Sequence, residues 1–175
     1  MADNKQRKIF LVDDDSSHNQ MLKDHLTSKL NVNITTFSTG EDCLGNLDQQ
    51  PSVVVLDYYL DGDRKGAQNG LEVLKKIKSR SPEVEVIMLS GQDKIDIAVE
   101  TMKHGAFDYV IKNASAFLRT QNVLLNIFKN FKLRDNLKAY KFATWLLAAA
   151  IVVIIIVAIV LVKTGVAAKY PGFVG

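Results

Sequence analysis

The stretch VVVLDYYL, residues 53–60, is a run of Val and Leu that stops on a single carboxylate, Asp57. An apolar run this short, with no alternation of polar residues, is what a strand buried on both faces requires, and such strands belong to parallel sheets covered by helices. Three more runs have the same shape. Residues 8–12 lead into Asp13 and Asp14, residues 84–89 into Ser90, and residues 109–111 into Lys112. In an open α/β sheet, ligands bind outside the carboxyl ends of the strands, where the strand order reverses. These polar residues therefore share one edge, and that edge is a site.

Outward from residues 53–60 the chain alternates strand and helix five times. Strands are predicted over 8–13, 33–37, 52–57, 83–89 and 107–111, and helices over 16–30, 39–47, 70–79, 93–104 and from about 114. That is a doubly wound α/β plan. Gly40, Gly45 and Gly105 fall near the helix ends, while Pro51 and Pro82 sit just before strands. The one cysteine, Cys43, cannot staple its own chain and fits a reducing, cytoplasmic compartment. Residues 1–8 are polar and carry no apolar core of the kind a signal peptide needs.

Residues 142–162 are apolar at every position except Thr144, with Lys141 and Lys163 as brackets. About 20 such residues are what a helix needs to cross a hydrocarbon core, and a buried helix of a globular domain would show a polar face instead. The β-branched stretch 151–157 is poor for a soluble helix but is tolerated in lipid. Trp145 suits a membrane interface. Lys129, Lys132, Arg134, Lys138 and Lys141 crowd the approach to this segment, against Asp135 alone, and only Lys163 and Lys169 follow it. The sequence pI near 8.9 thus belongs to a juxtamembrane segment and not to a groove for nucleic acid. The positive-inside rule puts the N-terminal domain in the cytoplasm and the tail outside an inner membrane crossed once. The expected organisation is a globular domain at 7–128, a basic helix or linker at 129–141, a transmembrane helix at 142–162 and a short non-cytoplasmic tail at 163–175.

Asp13, Asp14 and Asp57 would gather three carboxylates at one sheet edge, which repel one another unless a cation or a shared proton compensates. Mg²⁺ is the natural compensator, because it prefers one or two carboxylates plus phosphate oxygens and water. Phosphoryl transfer needs an in-line nucleophile, a metal, and donors for the equatorial oxygens. Asp57 is the best nucleophile, since a carboxylate can accept a phosphoryl group as an acyl phosphate. Lys112 can supply a point charge and Ser90 a hydroxyl. Duller roles are favoured elsewhere. Asp15, followed by Ser16 and Ser17, reads as a helix N-cap region. His18, His25 and His104 fall on predicted helices with no companion ligand and read as solvated or capping, and Lys75, Lys76 and Lys78 read as a wet helix face. Tyr109 taken alone reads equally well as a packed strand aromatic.

Four motifs in order, IFLVDDD at 9–15, VVVLDYYL at 53–60, VIMLSG at 86–91 and GAFDYVIK at 105–112, resemble the receiver domain of two-component response regulators over residues 7 to about 128. The resemblance implies a flavodoxin-like sheet of five parallel strands, and phosphorylation by a sensor histidine kinase or a phosphotransfer protein. It implies Asp57 as phosphoacceptor, and Asp13 and Asp14 as the Mg²⁺-binding pair with Asp57 and the backbone carbonyl of Tyr59. By the same resemblance Ser90 is the switch hydroxyl, Lys112 the phosphate-binding lysine, and Tyr109 the aromatic that turns inward when Ser90 moves. The surface formed by helix 93–104, strand 107–111 and the last helix would be the output face.

Three departures bear on mechanism. After Leu60 the segment DGDRKGAQNG, residues 61–70, brings Gly70 about five residues late. It superficially matches a calcium loop through Asp61, Asp63, Gly66, Asn69 and Glu72. Lys65 stands at a ligand position, however, and a strand precedes it, so an insertion that gates access or contacts a partner is expected. Asn113 follows Lys112 where the family commonly has a cis-linked proline; a cis bond before a non-proline costs about 2.5–4 kcal/mol, and Lys112 is expected to be less rigidly aimed. Tyr59 would cover the acyl phosphate and lengthen its lifetime. The general acid that a phosphoester hydrolase would need two residues after its nucleophile is missing, so beyond its own Mg²⁺-dependent phosphorylation and dephosphorylation no enzyme is expected. No helix-turn-helix follows the receiver, and output by contact with a downstream protein, with membrane lipid and a homodimer also in view, is the expectation. The rival is a phosphorylation-independent membrane adaptor that uses the receiver fold as a docking module.

Overall fold

The four apolar runs and the more polar segment near residues 32–37 become five strands, and each is followed by residues that start a helix. The computed structural model describes residues 6–60, 69–91 and 94–163. The strands are β1 Arg7–Val12, β2 Val32–Phe37, β3 Val53–Asp57, β4 Glu85–Ser90 and β5 Asp108–Ile111. The helices are α1 Ser16–Lys29, α2 Gly40–Gly45, α3 Gly70–Arg80, α4 Ile95–Lys103 and α5 Ala116–Lys163. All strand pairs are parallel, in the order β2-β1-β3-β4-β5. This is the five-stranded, flavodoxin-like parallel sheet that the resemblance implied.

β3 lies at the centre and is buried at every residue, which is why its run shows no polar alternation. Edge strand β2 alternates instead, with Val32 and Ile34 buried and Asn33 exposed. The pleat sorts side chains onto two faces. Phe10, Val12, Val54, Leu56, Val86, Met88 and Tyr109 join one cluster with α2 and α3 residues, against which Ile97 and Ala98 of α4 also pack. Ile9, Leu11, Val53, Val55, Ile87 and Val110 alternate with that set and serve the other face, where Leu22 and Leu26 of α1 and Leu124 and Ile127 of α5 are buried. Each fully buried side chain of this size contributes roughly 1.5–3 kcal/mol.

Three helices start on side-chain caps: Asp15 accepts from the N–H groups of Ser17 and His18, Thr39 from Asp42, and Asn69 from Glu72. Asp15 is thus a cap, as its neighbours suggested. Gly105 adopts φ +91, just after His104, the C-cap of α4. The helix expected over 39–47 is broken, because Asn46 turns the chain and a 3₁₀ turn, Leu47–Gln49, follows. β4 starts two residues later than expected and runs on through Ser90, whose carbonyl accepts the Lys112 N–H and so stays in the ladder. Lys78 is not on a wet face: its ammonium donates to the Val84 carbonyl at 2.6 Å and pairs with Glu85 at 3.6 Å.

The chain divides between Ile127 and Phe128 into two units. In the second, the stretch Thr144–Leu161 is a single helical segment with mean hydropathy 3.1 and no residue buried, long and apolar enough to cross a membrane. Most of the insertion after Leu60, the start expected for the helix at 93, and the tail beyond Lys163 lie outside the described residues.

Candidate phosphoacceptor site

β1 and β3 are neighbours from which the strand order runs off in opposite directions, so the crevice opens at their carboxyl ends. Asp57 is the last residue of β3. Asp13 follows β1, held in place by its N–H donating to the Phe37 carbonyl at 3.1 Å. Lys112 follows β5, with its N–H on the Ser90 carbonyl at 2.7 Å. Asp13, Asp57 and Lys112 share one pleat parity, that of Leu11, Val55 and Val110, while Ser90 and Tyr109 share the other with Met88. Parity thus separates the charged cluster from the hydroxyl and the aromatic.

The Lys112 ammonium bridges the two acids, donating to Asp13 Oδ2 and to Asp57 Oδ2 at 2.7 Å each. The same Asp13 Oδ2 accepts from His18 Nδ1 at 2.7 Å, and Asp13 Oδ1 accepts the Asp15 N–H at 3.0 Å. Asn19, buried under the end of β1, donates from Nδ2 to the carbonyls of Asp13 and Phe37. Asp57 is treated differently. Its Oδ1 is buried and has no hydrogen-bond partner among the described residues.

That asymmetry pushes the two carboxyls apart. Burial alone would raise Asp13, but His18, Lys112 and the Asp15 N–H outweigh it and hold the carboxyl below its usual 3.8. For Asp57 burial wins. It lifts the carboxyl to about 6 against the pull of Lys112, and the neighbouring Asp13 charge adds to the rise; the Tyr59 N–H offsets a little of it without completing a hydrogen bond on Oδ1. Burial would lower Lys112, yet its two carboxylate partners raise it, so it stays an ammonium.

Asp13, Asp14 and Asp57 each bring a carboxylate oxygen within 4.8 Å of the others, with Asp14 exposed. An all-oxygen donor set beside a buried, unpartnered oxygen is what a hard divalent cation would complete, so these residues fit Mg²⁺, which receiver domains bind in such an acidic cluster. Tyr59 follows β3 with 36% exposure, its ring edge-on to Tyr58 at 4.9 Å. Ser90 is fully buried at the end of β4, and Tyr109 is 8% exposed, already within the cluster that packs against α4. The Lys112–Asn113 peptide is trans, as are the others among the described residues. Lys112 is nevertheless fixed, by two carboxylates.

Two residues were not anticipated. His18 was expected to be solvated or capping; instead it is bonded to Asp13, because α1 starts three residues after that aspartate and its first turn hangs beside the strand end. His25 bonds Gln121 Oε1 at 3.0 Å rather than water. Gly70 is required at the start of α3, since a Cβ there would come within 2.2 Å of the Asp57 carbonyl oxygen and 2.7 Å of Tyr58 Cα. Its N–H donates to the Tyr58 carbonyl at 2.9 Å, so the insertion leaves and returns at the exit of β3.

Residues 9–120 match the response regulator receiver domain. The chain is 31% identical over 127 residues to the regulatory protein LuxO of Vibrio cholerae, an alignment covering 72% of this chain and 27% of that protein. It is 36% identical over 104 residues to the DNA-binding transcriptional regulator NtrC of Klebsiella pneumoniae, covering 59% of this chain and 21% of that one. It therefore spans about a quarter of the length of the curated relatives it matches. The signal receiver domain of a LuxO repressor protein from Vibrio parahaemolyticus superposes with a TM-score of 0.65 at 25% identity, over 75% of this chain and 97% of that domain. On the sheet, the acidic cluster and this match, the chain belongs to the response regulator receiver domain family.

Proposed function

We propose that this chain is a membrane-anchored phosphoreceiver in which Asp57 accepts a phosphoryl group from a sensor histidine kinase or phosphotransfer protein, the class of partner a receiver domain implies. The observation that carries the reading is Asp57 itself: buried, raised to about 6, tethered to Lys112 through one oxygen and, among the described residues, unpartnered at the other. A carboxylate desolvated this far gains from neutralisation or covalent capture. In the transfer, an Asp57 oxygen lone pair forms the new O–P bond while the bond from phosphorus to the donor breaks and the donor keeps its electron pair.

Asp13, Asp14, Asp57 and the Tyr59 carbonyl would hold Mg²⁺, which when bound supplies positive charge to the phosphoryl oxygens and offsets the three carboxylates. Lys112 follows the charge that leaves Asp57 for the phosphoryl oxygens, and Ser90 offers a hydroxyl at the adjoining strand end. Movement of either reaches Tyr109, two residues before Ile111 in the strand that pairs with Ser90, and through it the face of α4. Tyr59, partly exposed beside Asp57, would screen the acyl phosphate from water.

Anchoring is supported by the segment Thr144–Leu161 and by the basic residues before it. Those residues would lie against anionic lipid at roughly 1 kcal/mol each near the surface. Output would then be delivered by protein contact at the membrane. Acetyl phosphate with Mg²⁺ is the test: phosphate that hydroxylamine releases from wild type and never appears on Asp57→Ala supports the proposal. No label on either protein would transfer weight to a phosphorylation-independent adaptor.

A further inference from the structure

A line of contacts leads from Asp13, at the edge of the acidic cluster, through His18 to α5. His18 Nδ1 lies 2.7 Å from Asp13 Oδ2, and a carboxylate only accepts, so Nδ1 carries the proton. The same imidazole stands against the Phe117 ring, with centroids 5.4 Å apart and planes at 58°. Phe117 is also flanked by His25, at 5.8 Å and 45°, and His25 is bonded to Gln121 one turn further along α5. Two histidines of α1, two turns apart, thus clasp the second residue of α5.

We propose that His18 couples the load on the acidic cluster to the seating of the first turns of α5 on α1. The inference rests on the reading of Asp13, Asp14 and Asp57 as a cation site. Both lone pairs of Asp13 Oδ2 are committed, one to Lys112 and one to His18. A divalent cation in the cluster draws on those same carboxylate electrons and repels neighbouring donors, so it competes with the His18 hydrogen bond. The ring is held between Asp13 and Phe117, and it cannot yield at one end without changing its contact at the other. Coupling of this kind is reciprocal: what the cation does to α5, a change in α5 does to cation affinity.

The experiment uses the full chain in detergent micelles and Mg²⁺ alone as the probe, with the dissociation constant from calorimetry and amide hydrogen exchange over residues 116–127 as the second readout. His18→Phe keeps a ring against Phe117 and removes the competing donor. It is expected to bind Mg²⁺ about three- to tenfold tighter, the worth of one such hydrogen bond. Phe117→Leu should tighten binding by about twofold with His18 present and add nothing in the His18→Phe background, because its effect passes through that imidazole. His18→Gln, which restores a donor, should return the affinity toward wild type. Mg²⁺ should speed exchange at 116–127 in wild type and not in His18→Phe. Independent, multiplying effects of the two substitutions, an α5 indifferent to Mg²⁺ in wild type, or a gain in His18→Phe that His18→Gln shares would each overturn the coupling alone. Absence of saturable Mg²⁺ binding in every protein would overturn it together with the cation reading.

Discussion

Replacing Asp57 with Asn should make the metal-free protein more stable while removing its phosphoacceptor. The buried carboxyl is raised from its ordinary 3.8 to about 6, so the folded state binds its proton more tightly than the unfolded chain does. Below 3.8 the group is protonated in both states and costs nothing. Between 3.8 and about 6 the folded state holds the extra proton, and stability from this group falls as pH rises. Above that window the whole cost is present, about 3 kcal/mol at roughly 1.4 kcal/mol for each pH unit. Asp13 moves the opposite way and titrates below the window, so it does not mask the effect. Asp57→Asn, neutral and nearly isosteric, should therefore unfold about 10 °C higher than wild type near neutral pH in EDTA. The gap should close as pH is lowered toward about 4. Mg²⁺ should stabilise wild type, by about 2.7 kcal/mol at a hundredfold excess over its dissociation constant, and stabilise the variant much less. Equal melting temperatures at neutral pH, or a gap that does not depend on pH, would refute the argument that burial burdens Asp57.

Gly70→Ala should lose at least about 2 kcal/mol in urea unfolding, because its Cβ would meet the Asp57 carbonyl and Tyr58 backbone, which have no free side-chain end to swing aside. Tyr59→Ala should shorten the half-life of the phosphorylated protein about threefold or more, read as loss of label after the donor is removed, if the ring screens water from the acyl phosphate. Deleting residues 144–163 should move the protein from carbonate-washed membranes to the soluble fraction, and retention on the membrane would remove the anchor from the account.

Much of the fold was legible because the inner strands are local apolar runs and three of the helices open on a capping residue, Asp15, Thr39 or Asn69. The charged cluster was legible for the same reason, since its members stand directly at strand ends. What sequence could not supply was pairing across distance. His25 and Gln121 meet over 96 positions, and Lys112 bridges acids 99 and 55 positions away. His18 had a weak local signal, a helix-start position five residues beyond Asp13, but helix periodicity marks only which face is apolar, and a half-buried histidine belongs to neither face. The break after Gly45 was hidden by a sequence that is helix-like on both sides of Asn46. The unequal titration of Asp13 and Asp57 depends on counting donors, three against one cation and one weak N–H, and only coordinates provide that count.

The central claim is that one carboxylate, Asp57, takes the phosphoryl group. Borohydride reduces an acyl phosphate to an alcohol, so treating the acetyl phosphate-loaded full chain with borohydride and sequencing its peptides by mass spectrometry reports the position directly. The account predicts homoserine at position 57 alone, dependent on Mg²⁺. Reduction at Asp13 or Asp14, or at no residue under conditions that label a known receiver, would contradict it.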